Sequence, residues 1–240
     1  MKKILATTLA FVLLSTVFFV SKVPVRAAEG TTTGTFLSAT RSMPSPIVGF
    51  TAEADNSDTL KTFGTAVKII SDAEKRGEFY FADNNPVGGG KGMLMYAKTM
   101  DDGIATRPQI YIIADDTTAS SYYGKWYTLN KNDEKWQEQN YDNYGVELPS
   151  GFDGYIYIPF DAITQAPLQE TSRVKGYSVQ LSRNGKYTDG DYITFGQPII
   201  VTSEGIPNAK SINCDGKEYV YFATTTGTFL SATRSMPSPI

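Results

Sequence analysis

The chain contains no histidine. That absence removes serine-histidine-acid triads, imidazole acid-base chemistry and nearly every zinc site. Cys214 is the single cysteine, so no intramolecular disulfide can form. Charge is sparse and unclustered: 22 Lys and Arg face 25 Asp and Glu, a net charge of -3 without a long basic or acidic run. Such a balance argues against nucleic acid or an anionic membrane surface as a partner. Helical periodicity is scarce as well, with the weak "SDAEKR" from Ser71 to Arg76 as the only candidate beyond the leader. Phosphate-loop chemistry is excluded too. In "NNPVGGGKGM", Asn84 to Met93, Asn85 stands where the first glycine belongs and Gly92 where a hydroxyl residue belongs. No G-x-S-x-G nucleophile elbow occurs, and Cys214 has no histidine to activate it.

What is present begins with "MKKILATTLAFVLLSTVFFVSKVPVRA". Lys2 and Lys3 precede an apolar run from Ile4 to about Val20, and Val25 and Ala27 form a small pair. This is the layout of a secretory signal peptide over residues 1–27, cleaved after Ala27; the alternative is an uncleaved anchor helix. The remainder is then an exported bacterial protein, secreted or held at the cell surface, and free of the membrane once the leader is cut.

Short strands follow, separated by Gly, Asn, Asp and Pro. They are read at Ala66 to Ile70, Gly77 to Ala82, Gly92 to Lys98, Pro108 to Ala114, Gly124 to Asn130, Gly154 to Phe160, Gly176 to Ser182 and Pro198 to Ser203. Turn signals such as "RNGK" at Arg183 to Lys186 and "TDGD" at Thr188 to Asp191 suit hairpins. The pattern predicts an all-β antiparallel sandwich or jelly roll. "GMLMYA" is apolar throughout, as a strand covered on both faces should be. "YIYI" alternates, with one face for the core and the other for a partner or second sheet.

"TTTGTFLSATRSMPSPI" stands at Thr31 to Ile47 and again, without a mismatch, at Thr224 to Ile240. The spacing from Thr31 to Thr224 suits one sandwich domain plus a linker. We therefore expect a module over residues 28–205, a linker or final strand over 206–223, and the start of a second copy over 224–240, as in a tandem array. A rival account lets both copies compete for one edge-strand position.

Seven aromatics crowd Ser121 to Gly145, both tryptophans among them, interleaved with Asn, Asp, Glu, Gln and Lys. Sugars offer flat C–H patches rimmed by hydroxyls, so exposed rings beside amides and carboxylates suit them. Trp126, Trp136, Tyr123, Tyr141 and Tyr144 are candidate stacking faces, and Asn140, Asp142 and Asn143 candidate hydroxyl partners. The competing explanation places these rings in the core and in cross-strand pairs. Paired acids, Asp101 with Asp102, Asp115 with Asp116, Asp133 with Glu134 and Asp189 with Asp191, read more readily as turn caps than as a hydrolytic pair. No cofactor is expected. "EADNSD" at Glu53 to Asp58 and "DGD" at Asp189 to Asp191 are oxygen-rich enough for a structural calcium but lack the complete EF-hand pattern.

The segment "VELPSGFDGYIYIPFDAI", Val146 to Ile163, resembles the Leu-Pro-x-Gly-Phe-x-Gly-x-aliphatic-x-Ile-Pro pattern of galactose-binding-like, carbohydrate-binding-module-like domains in large secreted proteins of Clostridia and related bacteria. "GKGMLMYAKT" and "PQIYIIADD" look like their paired central strands, and "DYITFGQPIIV" like their closing strand. The resemblance implies a non-catalytic β-sandwich jelly roll, attached to glycoside hydrolases or surface proteins. It carries no binding residue to a position of this chain, so the ligand site rests on the aromatic stretch. Three readings result: a non-catalytic module binding polysaccharide or glycan within a larger parent chain, a spacer or adhesion repeat that binds no sugar, and a glycan-active enzyme.

Overall fold

The computed structural model describes residues 31–37, 50–55, 57, 66–71, 77–102, 106–121, 124–140, 146–181, 190–203 and 211–220. Fifteen strands are found there: β1 (Thr31–Phe36), β2 (Phe50–Asp55), β3 (Ala66–Ser71), β4 (Gly77–Val87), β5 (Gly92–Thr99), β6 (Pro108–Ala114), β7 (Thr118–Ser120), β8 (Lys125–Asn130), β9 (Gln137–Asn140), β10 (Asp153–Pro159), β11 (Val174–Leu181), β12 (Tyr192–Gly196), β13 (Ile199–Val201), β14 (Ser211–Cys214) and β15 (Lys217–Val220). A 3-10 turn, Phe160–Ala162, follows β10. The expected signal peptide, the helical candidate beyond Ser71, the Arg183 to Lys186 turn and the second repeat copy lie outside the described residues. Among those described, no helix is long and apolar enough to cross a membrane.

Eleven strands make one sheet with the spine β15-β14-β1-β13-β5-β10-β8-β9. Strand β12 also pairs with β5 and carries β3, then β2. The second sheet is β4-β11-β6-β7. Every described pair is antiparallel except β1 with β14. The sheets stack as the expected sandwich.

Period-two alternation in the sequence explains the stacking. In β6, Ile110, Ile112 and Ala114 are buried while Gln109, Tyr111 and Ile113 are partly open. In β11, Tyr177, Val179 and Leu181 point the same way, and Tyr177 stacks on Phe81 of β4 with centroids 4.3 Å apart. From the larger sheet Met93, Met95, Ala97, Ile156, Ile158 and Phe195 meet them in one core cluster. Each fully buried aliphatic side chain contributes about 1.5–3 kcal/mol, so this layer dominates stability.

The continuous run of β5 has the predicted cause. Its other face, Leu94 and Tyr96, joins a second cluster on the outward side of the larger sheet, with Leu129, Trp136, Tyr155, Tyr157, Ile199, Val201, Ile212 and Cys214. The alternation of "YIYI" resolves likewise, with Ile156 and Ile158 in the first cluster and Tyr155 and Tyr157 in the second. Gly154, from the motif that carries the resemblance, sits where β10 meets β8. A Cβ there would run into the Leu129 carbonyl, so the close approach admits only glycine.

Residues 206–223, expected as a linker or final strand, contain the hairpin β14–β15. Its turn is Asp215-Gly216, with φ of 52° and 80°, the backbone of a two-residue hairpin loop.

Candidate functional site

The aromatic stretch divides in the structure. In β8 the alternation sends Trp126 inward: it is fully buried in the inter-sheet core, and its indole N–H donates to the Ser121 carbonyl at 3.0 Å. Trp126 is therefore corrected from a stacking face to a core residue. It has no open ring face, and its polar atom is satisfied inside. Trp136 is 8% exposed, packed in the outward cluster near Leu129 and Tyr155, so it too offers little ring surface. Tyr123, Tyr141, Asp142, Asn143 and Tyr144 lie outside the described residues. Asn140 ends β9 opposite Lys125.

Beside these rings Tyr127, partly open, donates to Glu138 Oε2 at 3.3 Å, and Lys125 pairs with Glu138 at 2.9 Å. The hydrogen bond from Lys125 holds Glu138 below the usual carboxylate range. Burial, then the Glu138 charge, pushes the Tyr127 phenol up. Two strands hold this trio at the sheet margin.

A row of polar side chains crosses the outward side of the larger sheet. Cross-strand register places Glu53 opposite Lys68, Lys68 opposite Thr194, Thr194 opposite Lys98, and Lys98 opposite Asp153. Lys68 Nζ lies 3.4 Å from Glu53 and 4.5 Å above the Tyr192 ring. Buried Asp153 accepts the Tyr96 hydroxyl at 2.6 Å and sits 3.6 Å from Lys131 Nζ. Burial opposes ionisation of Asp55, but hydrogen bonds from Ser57 and Thr194, with Lys68 nearby, keep its carboxyl below the ordinary range. The charges in this row are largely spent on one another.

The outward side of the smaller sheet differs in chemistry. Register sets Tyr80, Ser178, Tyr111 and Ser120 in one cross-strand row, and Glu78, Gln180 and Gln109 in the next. Across four strands such a row spans about 14 Å. Tyr111, Gln109 and Ser120 are partly exposed, whereas Ser178 and Gln180 are buried. A partly open phenol ring flanked by amides and hydroxyls is the combination a sugar hydroxyl rim and C–H face require. The sequence stretch from Ser121 to Gly145 does not contain these residues. The signal that marks them is the phase of β6: between Ile110 and Ile112, Tyr111 must face away from the core.

Of the paired acids, Asp115 and Asp116 tie their loop to the segment at Ser172 and Arg173, and Asp133 caps its own turn. Asp115 accepts the Arg173 N–H at 3.0 Å, Asp116 the Ser172 hydroxyl at 2.9 Å, and Asp133 the Asn130 N–H at 2.9 Å. Asp55 does the same for Ser57 within the first calcium candidate. Among the described residues no group of three acidic, histidine or cysteine side chains gathers as a metal site would need. Cys214 is buried, and burial with adjacent Asp215 pushes its thiol up to about 12. It is a packing residue rather than a nucleophile.

No protein-family model matches the chain, and a search of curated proteins gives no match. Among solved structures it is similar to the family 11 carbohydrate-binding module of a cellulosomal cellulase of Clostridium thermocellum. That likeness has 8% identity and a TM-score of 0.40, over 71% of this chain and 96% of that one. It is similar also to a family 11 module from Clostridium thermocellum in complex with a β-1,3-1,4-mixed-linked tetrasaccharide, at 7% identity and a TM-score of 0.39 over 70% and 95%. A family 29 carbohydrate-binding module matches at 12% identity and a TM-score of 0.30 over 72% and 88%. Likeness at this level is one of general β-sandwich shape, and the ligands are those of the matched modules.

Proposed function

We propose that the chain is a non-catalytic glycan-binding module of an exported bacterial protein, and that the outward face of β4-β11-β6-β7 meets the sugar. The observation that carries this reading is the partly exposed Tyr111, with partly exposed Gln109 two residues before it on the same strand face and Ser120 opposite it on β7. The Tyr111 ring would supply a stacking surface and the Gln109 amide a donor and an acceptor, both held on one strand. Neutral partners of this kind suit a neutral polysaccharide. Tyr123, Tyr141 and Tyr144, with Asn140, Asp142 and Asn143, form a second candidate set for the same role.

Affinity-gel retention against plant and microbial polysaccharides tests the proposal with two variants, Gln109→Ala/Tyr111→Ala and Tyr141→Ala/Tyr144→Ala. Retention by one glycan class, lost at least tenfold in the first variant while cooperative melting persists, supports the sheet-face site. Loss only in the second moves the site to the 140–144 stretch. Retention that survives both removes both assignments.

One observation favours a second reading, a spacer repeat without a ligand. Both tryptophans, the strongest stacking side chains in the chain, are committed to packing. A folded chain retained by no glycan would decide for the spacer.

A further inference from the structure

Strand β1 occupies a well-defined seat between β13 and β14. Gly34 to Phe36 pair antiparallel with Ile199 to Val201, and Thr31 to Gly34 pair parallel with Ser211 to Cys214. The Leu37 N–H donates to the Pro198 carbonyl at 2.9 Å, and the Thr202 N–H to the Thr33 carbonyl at 2.9 Å. Ser203 Oγ takes the Thr33 N–H at 2.8 Å and lies 2.6 Å from Thr32 Oγ1. Leu37 and Thr32 are fully buried. The seat is also selective at its centre: a Cβ on Gly34 would lie 2.5 Å from Ile199 Cγ2 and 2.9 Å from the Ile200 carbonyl.

The sequence holds a second segment with the residues that this seat requires. Thr224 to Leu230 repeats Thr31 to Leu37 letter for letter, with Gly227 in the place of Gly34 and Leu230 in that of Leu37. Topology gives it access. Thr31 pairs with Ser211 and Ser211 with Val220, so β15 ends on the line where β1 begins. Two interstrand gaps separate them, about 10 Å. Thr224 stands four residues beyond Val220, and four extended residues reach about 13 Å. Direction agrees as well, because β15 runs toward this end and a strand entering the seat beside β14 must run away from it.

We propose that the β1 seat has two interchangeable occupants within one chain, Thr31–Leu37 and Thr224–Leu230, and that the sheet closes equally with either. The two make the same contacts, so their competition is set by tether length and not by affinity. Where a further copy of the domain follows in a parent chain, its opening strand is the competitor for this seat.

The test uses the full-length chain with Gly34→Val, Gly227→Val and the double variant, each followed by thermal melting and size-exclusion chromatography. Valine at the seated position forces a clash with backbone and lowers Tm by about 5–10 °C if nothing else can take the seat. The expected result is that each single variant melts within about 2 °C of the parent as a monomer, while the double variant falls by the full amount. A drop in Gly34→Val as large as in the double variant overturns the proposal, since the second copy would then have failed to substitute. A double variant as stable as the parent overturns it too, because neither copy would be needed. Rescue of Gly34→Val only as a dimer overturns the same-chain assignment.

Discussion

On the outward side of the eleven-stranded sheet, Tyr96, Tyr155 and Tyr157 are closed to 5% exposure or less, whereas on the outward side of the four-stranded sheet Tyr111 is partly exposed. Residue type does not separate the two faces, since both present tyrosine in alternation with aliphatic residues. Their neighbours separate them. Tyr96 and Tyr155 meet edge to face at 5.8 Å in a cluster with Leu94, Leu129 and Trp136, and Tyr96 spends its hydroxyl on buried Asp153. Tyr111 lies between Ser178 and Ser120, with Gln109 and Gln180 in the next row. A tyrosine closed over by aliphatic and aromatic neighbours is packing, and one that keeps partial exposure beside polar neighbours contributes less to it.

Four measurements would break or sharpen that comparison. The largest effect is expected at the shared core: Trp126→Ala should cost about 3–5 kcal/mol in urea unfolding, with the Ser121 carbonyl left without its indole partner. The comparison itself turns on Tyr155→Ala. If the outward cluster is a second core, the loss will be about 3 kcal/mol, close to that at Trp126. A loss under about 1 kcal/mol would show that the face contributes little packing. Tyr111→Ala should move stability by less than about 1 kcal/mol while abolishing any glycan retention. The smallest effect is electrostatic. The lowered carboxyl of Asp55 gives stability that is fully present above the unfolded value of about 4 and is lost as pH falls through the folded value below it. Thr194→Val should therefore narrow the stability difference between pH 5 and pH 2.5, measured by urea midpoint.

Much of the fold was legible in the amino-acid order. The eight strands read from alternation coincide with β3, β4, β5, β6, β8, β10, β11 and β13, with ends shifted by a few residues. Strands carrying weak patterns were missed. β9, "QEQN", holds no apolar residue and exists because its backbone completes the edge beside β8. β14 and β15 are four residues each, too short for alternation to show, and their region reads in the sequence only as a linker or final strand. The candidate site was less legible. Composition drew attention to Trp126 and Trp136, but the direction a side chain takes depends on phase within a strand, and β8 places Trp126 inward with Tyr127 outward. Tyr111 looked ordinary because its polar partners come from β11 and β7, distant in sequence and adjacent only once the sheet forms.

The line through Thr31, Ser211 and Val220 has a mechanical meaning. A pull that separates the start of β1 from the end of β15 acts across the strands at one end of the sheet. The ladders of β1-β14-β15 then unzip bond by bond, each hydrogen bond worth about 1 kcal/mol, instead of shearing together. Tension carried through these two points opens the sheet margin first. The inner strands β5 and β10, paired along their whole length, stay closed until that margin has yielded.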